Sequence, residues 1–242
     1  MKYLITIASL FLSTTLLAQT ESFNLSNGQL VLENSSGNVS VTGTNESTVK
    51  ISYTKKKWEE GCDLKLEQSN DIVNVKVKAK KRKDSGWFSS GPNCQVNFTI
   101  TMPKQVILST LVGSGNTTIS GLMANATLKS GSGDINLINS QMDSLKASVG
   151  SGDIKTSGLF TNATLESGSG DIKLINSQRK AHMAKLESGS GAISVMIPQG
   201  LKIKSKLNSA SGKVQNKVQE SNDSKYIINA NTGSGDITIE NL

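Results

Sequence analysis

The chain has 242 residues, 36% of them hydrophobic but only 4% aromatic, and its 26 Lys and Arg outnumber 19 Asp and Glu for a formal charge of +7. So few aromatic residues are thin material for a conventional globular core, and one histidine with two cysteines leaves little for histidine-based or metal chemistry. The length allows one elongated repeat domain or two small ones.

Met1-Lys2-Tyr3 leads into an apolar run from Leu4 to Leu17 that ends at Ala18-Gln19. A short basic start, an apolar stretch of this length and a small residue at its boundary read as a secretory signal peptide over residues 1–18. No later stretch approaches the about 20 apolar residues of a transmembrane helix. The expectation is an exported mature chain over 19–242, periplasmic, surface-displayed or secreted, for which nucleic acid is not the expected partner.

Gln29 to Gly43 places Leu30 and Leu32 before a small-residue corner at Ser35, and Val39 and Val41 after it. Alternation with period two predicts two short strands, each with one buried face. The texture then changes. Val49 to Tyr53, Leu64 to Leu66, Ile72 to Ala79 and Val96 to Ile100 read as longer strands, interrupted around Trp58–Asp63 and Lys80–Asn93. Residues 54–95 therefore form an insertion region, with Cys62 and Cys94 at its edges. An even pair in an exported chain is most simply one disulfide, and closing this loop stabilises by roughly 3 to 4 kcal/mol on the chain-entropy model.

From Thr110 onward one unit recurs. Gly113, Gly131, Gly150, Gly168, Gly189, Ala210 and Gly233 each open a corner, at intervals of 18, 19, 18, 21, 21 and 23 residues. Residues five and three before the corner, and four and six after it, are mostly apolar, as in Ala126, Leu128, Ile135 and Leu137. Those between them are polar. Ser120 to Gln141 nearly repeats as Ser157 to Gln178, 37 residues later, which suggests duplication of a pair of turns. No single unit buries its apolar side alone, so the units must stack about 4.8 Å apart with like residue over like. The fold class expected is all-β: a single-stranded β-solenoid of 18 to 23-residue turns carrying a disulfide-tied insertion in its N-terminal half. A meander of hairpins also fits the offsets, but it has no need of a near-constant return distance.

Three features could carry chemistry. Asp134, Asp153, Asp171 and Asp236 occupy one corner column, with Asn38 and Asn116 in equivalent places. Carboxylates stacked at strand spacing repel by on the order of 0.8 kcal/mol even at the dielectric of water. Either calcium offsets this, making the four aspartates metal ligands, or each caps its own turn through backbone N–H groups and stays solvated. His182 lies where a loop or packing role is expected rather than a general base. The third feature is basic: Lys76, Lys78, Lys80, Lys81, Arg82 and Lys83 run toward Trp87, and Trp58 follows Lys55-Lys56-Lys57. Cations beside aromatics suit an anionic glycan, a cell-envelope component or an acidic protein partner. The same lysines also protect a strand edge against unwanted pairing.

The Ser-Gly-Ser-Gly-Asp-Ile units at Ser130–Ile135 and Ser167–Ile172, echoed at Gly233–Ile237, resemble the bacterial putative-adhesin β-strand-repeat family of unknown function, close to the head GIN-type domain. The resemblance covers about Phe23 to Leu242. It implies a right-handed β-helix outside the inner membrane, an adhesin role and no catalytic residues or cofactor. It does not explain the basic, tryptophan-bearing insertion. The function expected is thus a non-enzymatic adhesin-like or structural envelope protein. The alternatives are a polysaccharide-cleaving β-helix enzyme and a calcium-stabilised repeat. Neither end shows an obvious polar cap, so end-to-end self-association is also expected to be open to it.

Overall fold

The structure, a computed structural model, describes residues 18–80 and 91–242. The proposed signal peptide, apart from Ala18, and the candidate site residues Lys81, Arg82, Lys83 and Trp87 lie outside the described residues. Every regular element described is a strand. The N-terminal ones are β1 (Gln19–Asn24), β2 (Gln29–Ser36), β3 (Val39–Thr44), β4 (Thr48–Trp58), β5 (Cys62–Ser69), β6 (Ile72–Ala79) and β7 (Cys94–Pro103). The repeat region follows as β8 (Ile107–Ser114), β9 (Thr117–Ser120), β10 (Ala126–Ser132), β11 (Ile135–Ser151), β12 (Ile154–Ser169), β13 (Ile172–Asn176), β14 (His182–Ser190) and β15 (Ile193–Ile197). The last four are β16 (Lys204–Ser211), β17 (Val214–Asn216), β18 (Tyr226–Ser234) and β19 (Ile237–Asn241).

The expected solenoid register is present. Ala126 pairs with Leu145 and Leu108, Ile135 with Ile154 and Thr117, and Ile172 with Ile193, all in parallel. One face stacks the strands entering the corners, in the order β5, β6, β2, β8, β10, β11, β12, β14, β18, β16. The second stacks the strands leaving them, β1, β4, β7, β3, β9, β11, β12, β13, β15, β19, β17. β11 and β12 belong to both, because each bends through the return side on its way from one corner to the next. Ile135, Ile154, Ile172 and Ile237 are fully buried, so the aliphatic columns fill the tube.

The coils do not stack in chain order at either end, which the repeat pattern did not anticipate. β2 and β3 sit between β6/β7 and β8/β9. β18 and β19 likewise slip between β14/β15 and β16/β17. The physical reason at the C-terminal end is legible in the inward positions. The 226–241 coil offers Ile228, Ala230, Ile237 and Ile239, all fully buried, and so takes the enclosed layer. The 204–216 coil offers Ser205 and Asn216 where the other has Ile228 and Ile239, and these would cost free energy without hydrogen bonds if covered on both sides. It therefore becomes the end layer. There the Ser205 hydroxyl and the Asn216 amide both donate to the Glu220 carboxylate, a polar cap that the sequence reading missed.

At the opposite end the pairing turns antiparallel. β5 pairs with β6, and β4 pairs with β7 on one side and β1 on the other. Cys62 and Cys94 form the expected disulfide, with Cα atoms 5.5 Å apart, and it ties the outermost strand of the first face to the second face.

The corners explain their glycines. At Gly170 the backbone turns at φ +145°, and a Cβ there would lie 2.1 Å from the Gly152 carbonyl oxygen of the coil beneath. Only glycine combines that dihedral with so close an approach.

Candidate functional site

The corner aspartates form a ladder of side chain to backbone hydrogen bonds between coils. Each Oδ1 accepts the N–H of the column residue in the next coil: Asp134 from Asp153 at 2.9 Å, Asp153 from Asp171 at 3.0 Å and Asp171 from Ala192 at 2.8 Å. The asparagines do the same lower in the stack, Asn97 for Asn38, Asn38 for Asn116 and Asn116 for Asp134, each at 3.0 Å. Ala192 has no side chain with which to continue, so the ladder resumes when Asp236 accepts from Lys213 at 2.8 Å. Asn97 was missed in the sequence because its coil lacks the Gly-Ser-Gly corner that would have aligned it.

This arrangement answers the repulsion expected of the column. One oxygen of each ladder aspartate is held by a backbone N–H, and Asp153 Oδ2 meets Lys155 Nζ at 2.9 Å. The Lys155 hydrogen bond, then the Asp171 N–H, hold the Asp153 carboxyl below its ordinary range, while Asp153 raises Lys155 in return. Asp134, Asp153, Asp171 and Asp236 are therefore occupied as coil-to-coil braces. Among the described residues no three His, Cys, Asp or Glu side chains gather as a metal site requires.

His182 opens β14 and is buried, its ring 4.7 Å from that of Tyr226. Its Nδ1 lies 2.8 Å from the Phe160 carbonyl oxygen. The same nitrogen lies 3.0 Å from the Asn176 amide nitrogen, and Nε2 has no partner among the described residues. Burial lowers its pKa to about 4. The side chain is packing inside the tube, as the sequence reading expected of it, and no carboxylate stands against it to make a base.

The basic residues gather at the disulfide end. Trp58 ends β4 directly opposite Cys94 and is 36% exposed, with Lys55 Nζ 4.3 Å from the centre of its ring. Lys78 faces Asp63 across β5 and β6, one position from the pair Cys62 and Ala79, and the Lys80 N–H donates to the Gly61 carbonyl at 2.9 Å. The disulfide thus brings Trp58 and Lys78 into one neighbourhood although 20 positions separate them in the chain. Lys76 differs: its ammonium is paired with the Glu33 carboxylate, which reduces its availability to a partner. Lys56 and Lys57 are exposed and have no ion pair among the described residues. The sequence placed Lys55 near Trp58, and the structure adds that its ammonium lies over the ring.

The far end is basic too. Lys202, Lys204, Lys206, Lys213 and Lys217 are exposed on the end coil, and of these Lys217 pairs with Glu240 at 3.2 Å. No helix among the described residues is long and apolar enough to cross a membrane.

Three solved structures are similar in outline to the chain. One described as a "putative adhesin" from Bacteroides fragilis is 14% identical, with 94% of this chain and 98% of that chain covered at a TM-score of 0.48. A "putative cell adhesion protein" from Clostridium sporogenes is 16% identical, with 93% and 100% covered at 0.43. A "putative lipid binding protein" from Parabacteroides distasonis is 16% identical, with 93% and 96% covered at 0.44. No curated protein matches the chain. The family model described as Toastrack DUF4097 matches residues 27–242, essentially the whole solenoid from β2 to the last residue, and the chain belongs to that family.

Proposed function

We propose that the protein is an exported, non-enzymatic, right-handed β-solenoid, with residues 1–18 as its signal peptide and 19–242 as one domain. Its repeats are scaffold, and its disulfide-braced basic end contacts an anionic glycan or another cell-envelope component in the manner of an adhesin. The observation that carries this reading is the juxtaposition of Trp58 and Lys55, beside the unpaired Lys56 and Lys57, on a strand clamped through Cys94. Long cations beside an exposed aromatic suit a polyanion, and a rigid support limits the entropy lost on binding. The sequence adds Lys81, Arg82, Lys83 and Trp87 between β6 and β7. The non-enzymatic part of the reading draws on a lone histidine enclosed in the core and on aspartates engaged by backbone donors.

The experiment is retention on an immobilised anionic polysaccharide and on isolated cell envelopes. Reversal of charge at Lys55, Lys56, Lys57, Lys78 and Lys80 is expected to abolish retention, while reversal at Lys204 and Lys206 on the far end leaves it. Unchanged retention in the first variant refutes the assignment of the site. Shortening of the soluble polysaccharide during incubation would favour a cleaving enzyme instead.

A further inference from the structure

β4 has 11 residues, but its outer neighbour β1 covers only half of it. Pairing runs from Asn24 opposite Thr48 to Gln19 opposite Tyr53 and stops there. Thr54 to Trp58 continue along β7 on the inner side, and among the described residues no strand lies against their outer edge. Backbone donors and acceptors on an open edge form a template for another strand. The template is rigid, because Trp58 is paired with the disulfide residue Cys94.

The charge along this edge selects the occupant. Lys55, Lys56 and Lys57 follow one another, and a bulge interrupts the register at Lys56. A second copy paired antiparallel over Thr54–Trp58, the uncovered length of β4, would bring three lysines against three, so the edge opposes self-pairing in that register. An acidic strand meets the opposite situation, with carboxylates every second residue about 6.8 Å apart beside the ammonium groups. Trp58, partly exposed at the end of the edge, offers an apolar surface to the side chain that follows.

We propose that this edge takes an extended acidic polypeptide segment by strand addition over Thr54–Trp58, with the three lysines selecting it. The inference rests on the removal of residues 1–18 as a signal peptide and on the reading of the disulfide-braced end as a binding site, and narrows the partner there to a protein segment.

The probe is a heptapeptide of alternating glutamate and valine, capped at both ends and fluorescently labelled, with binding followed by anisotropy. Its control is the same peptide N-methylated at alternate residues, which keeps the charge and removes the donors of one edge. The unmodified peptide is expected to bind, with affinity falling at least tenfold on N-methylation and at least tenfold in the K55E/K56E/K57E variant. Equal binding of the two peptides overturns the proposal, since charge alone would then suffice, and absence of binding by the unmodified peptide overturns it as well. The peptide comparison uses the unaltered protein, so it stands even where the triple variant fails to fold. Retention on anionic polysaccharide, measured on the same sample, separates the two levels. Retention without edge-dependent peptide binding ends strand addition and leaves the broader reading; peptide binding without retention does the reverse.

Discussion

Replacing Gly170 by alanine tests the corner geometry most directly. The new Cβ would sit 2.1 Å from the Gly152 carbonyl oxygen, more than an ångström inside ordinary contact. That oxygen is not free to retreat, because the Ser167 hydroxyl donates to it at 3.0 Å. Relief requires prising adjacent coils apart, which strains the Gly152 N–H bond to Ser169 and the Ile154 N–H bond to Asp171, both 2.9 Å. Two weakened bonds at about 1 kcal/mol each, with 1 to 3 kcal/mol of strain for alanine at this φ, give roughly 3 to 5 kcal/mol. That is a large share of the 5 to 15 kcal/mol typical of a folded domain. Gly200 supplies the control, having φ +79° and nothing within 4 Å of its missing Cβ, so G200A carries the dihedral cost of about 1 kcal/mol alone. Urea unfolding followed by circular dichroism compares the two. If G170A lost no more stability than G200A, the argument from coil contact would be wrong.

The remaining predictions use the same measurement. Asp153→Ala removes the acceptor for the Asp171 N–H and is expected to cost about 1 kcal/mol, whereas Asp153→Asn keeps an acceptor and should cost less than half as much. A chelator is expected to leave the melting temperature unchanged, and a downward shift would reinstate metal binding at the aspartate column. The Cys62→Ser/Cys94→Ser double variant should lose about 3 to 4 kcal/mol for opening a loop of 32 residues, with the loss disappearing when the parent is measured under reducing conditions. His182 has its pKa lowered from 6.5 to about 4 by burial, so its stabilising neutral form is fully present above 6.5 and its contribution drains as pH falls toward 4. The loss comes to about 3 kcal/mol, and His182→Phe should flatten the stability profile across that window.

What the sequence could and could not disclose follows from which contacts are local. Corners, strand alternation and inward residues were legible because each coil repeats them at fixed offsets, and Ile135, Ile154 and Ile172 stand in the column assigned to them. The disulfide was legible because an even pair of cysteines, in a chain whose start reads as a signal peptide, has one simple use. Stacking order was not, since identical offsets let any coil sit on any other. That choice is made by a few inward residues, polar Ser205 and Asn216 against apolar Ile228 and Ile239, and becomes visible only when coils are compared as competitors for an enclosed layer. The direction of the aspartate bonds was hidden for a related reason. A corner aspartate capping its own turn and one capping its neighbour's look alike in the chain, and only the spacing of coils decides between them.

The placement of the first and last coils inside the stack, rather than at its ends, limits how such a rod can lengthen. β19 runs between two occupied layers, with no bare surface beside it on which a further coil could wind. Length can be gained only in the middle, where neighbours in the chain are also neighbours in the stack. That is where the near-identical segments Ser120–Gln141 and Ser157–Gln178 lie, as though the molecule had been extended like a table, by leaves set into its centre while both ends stayed fastened.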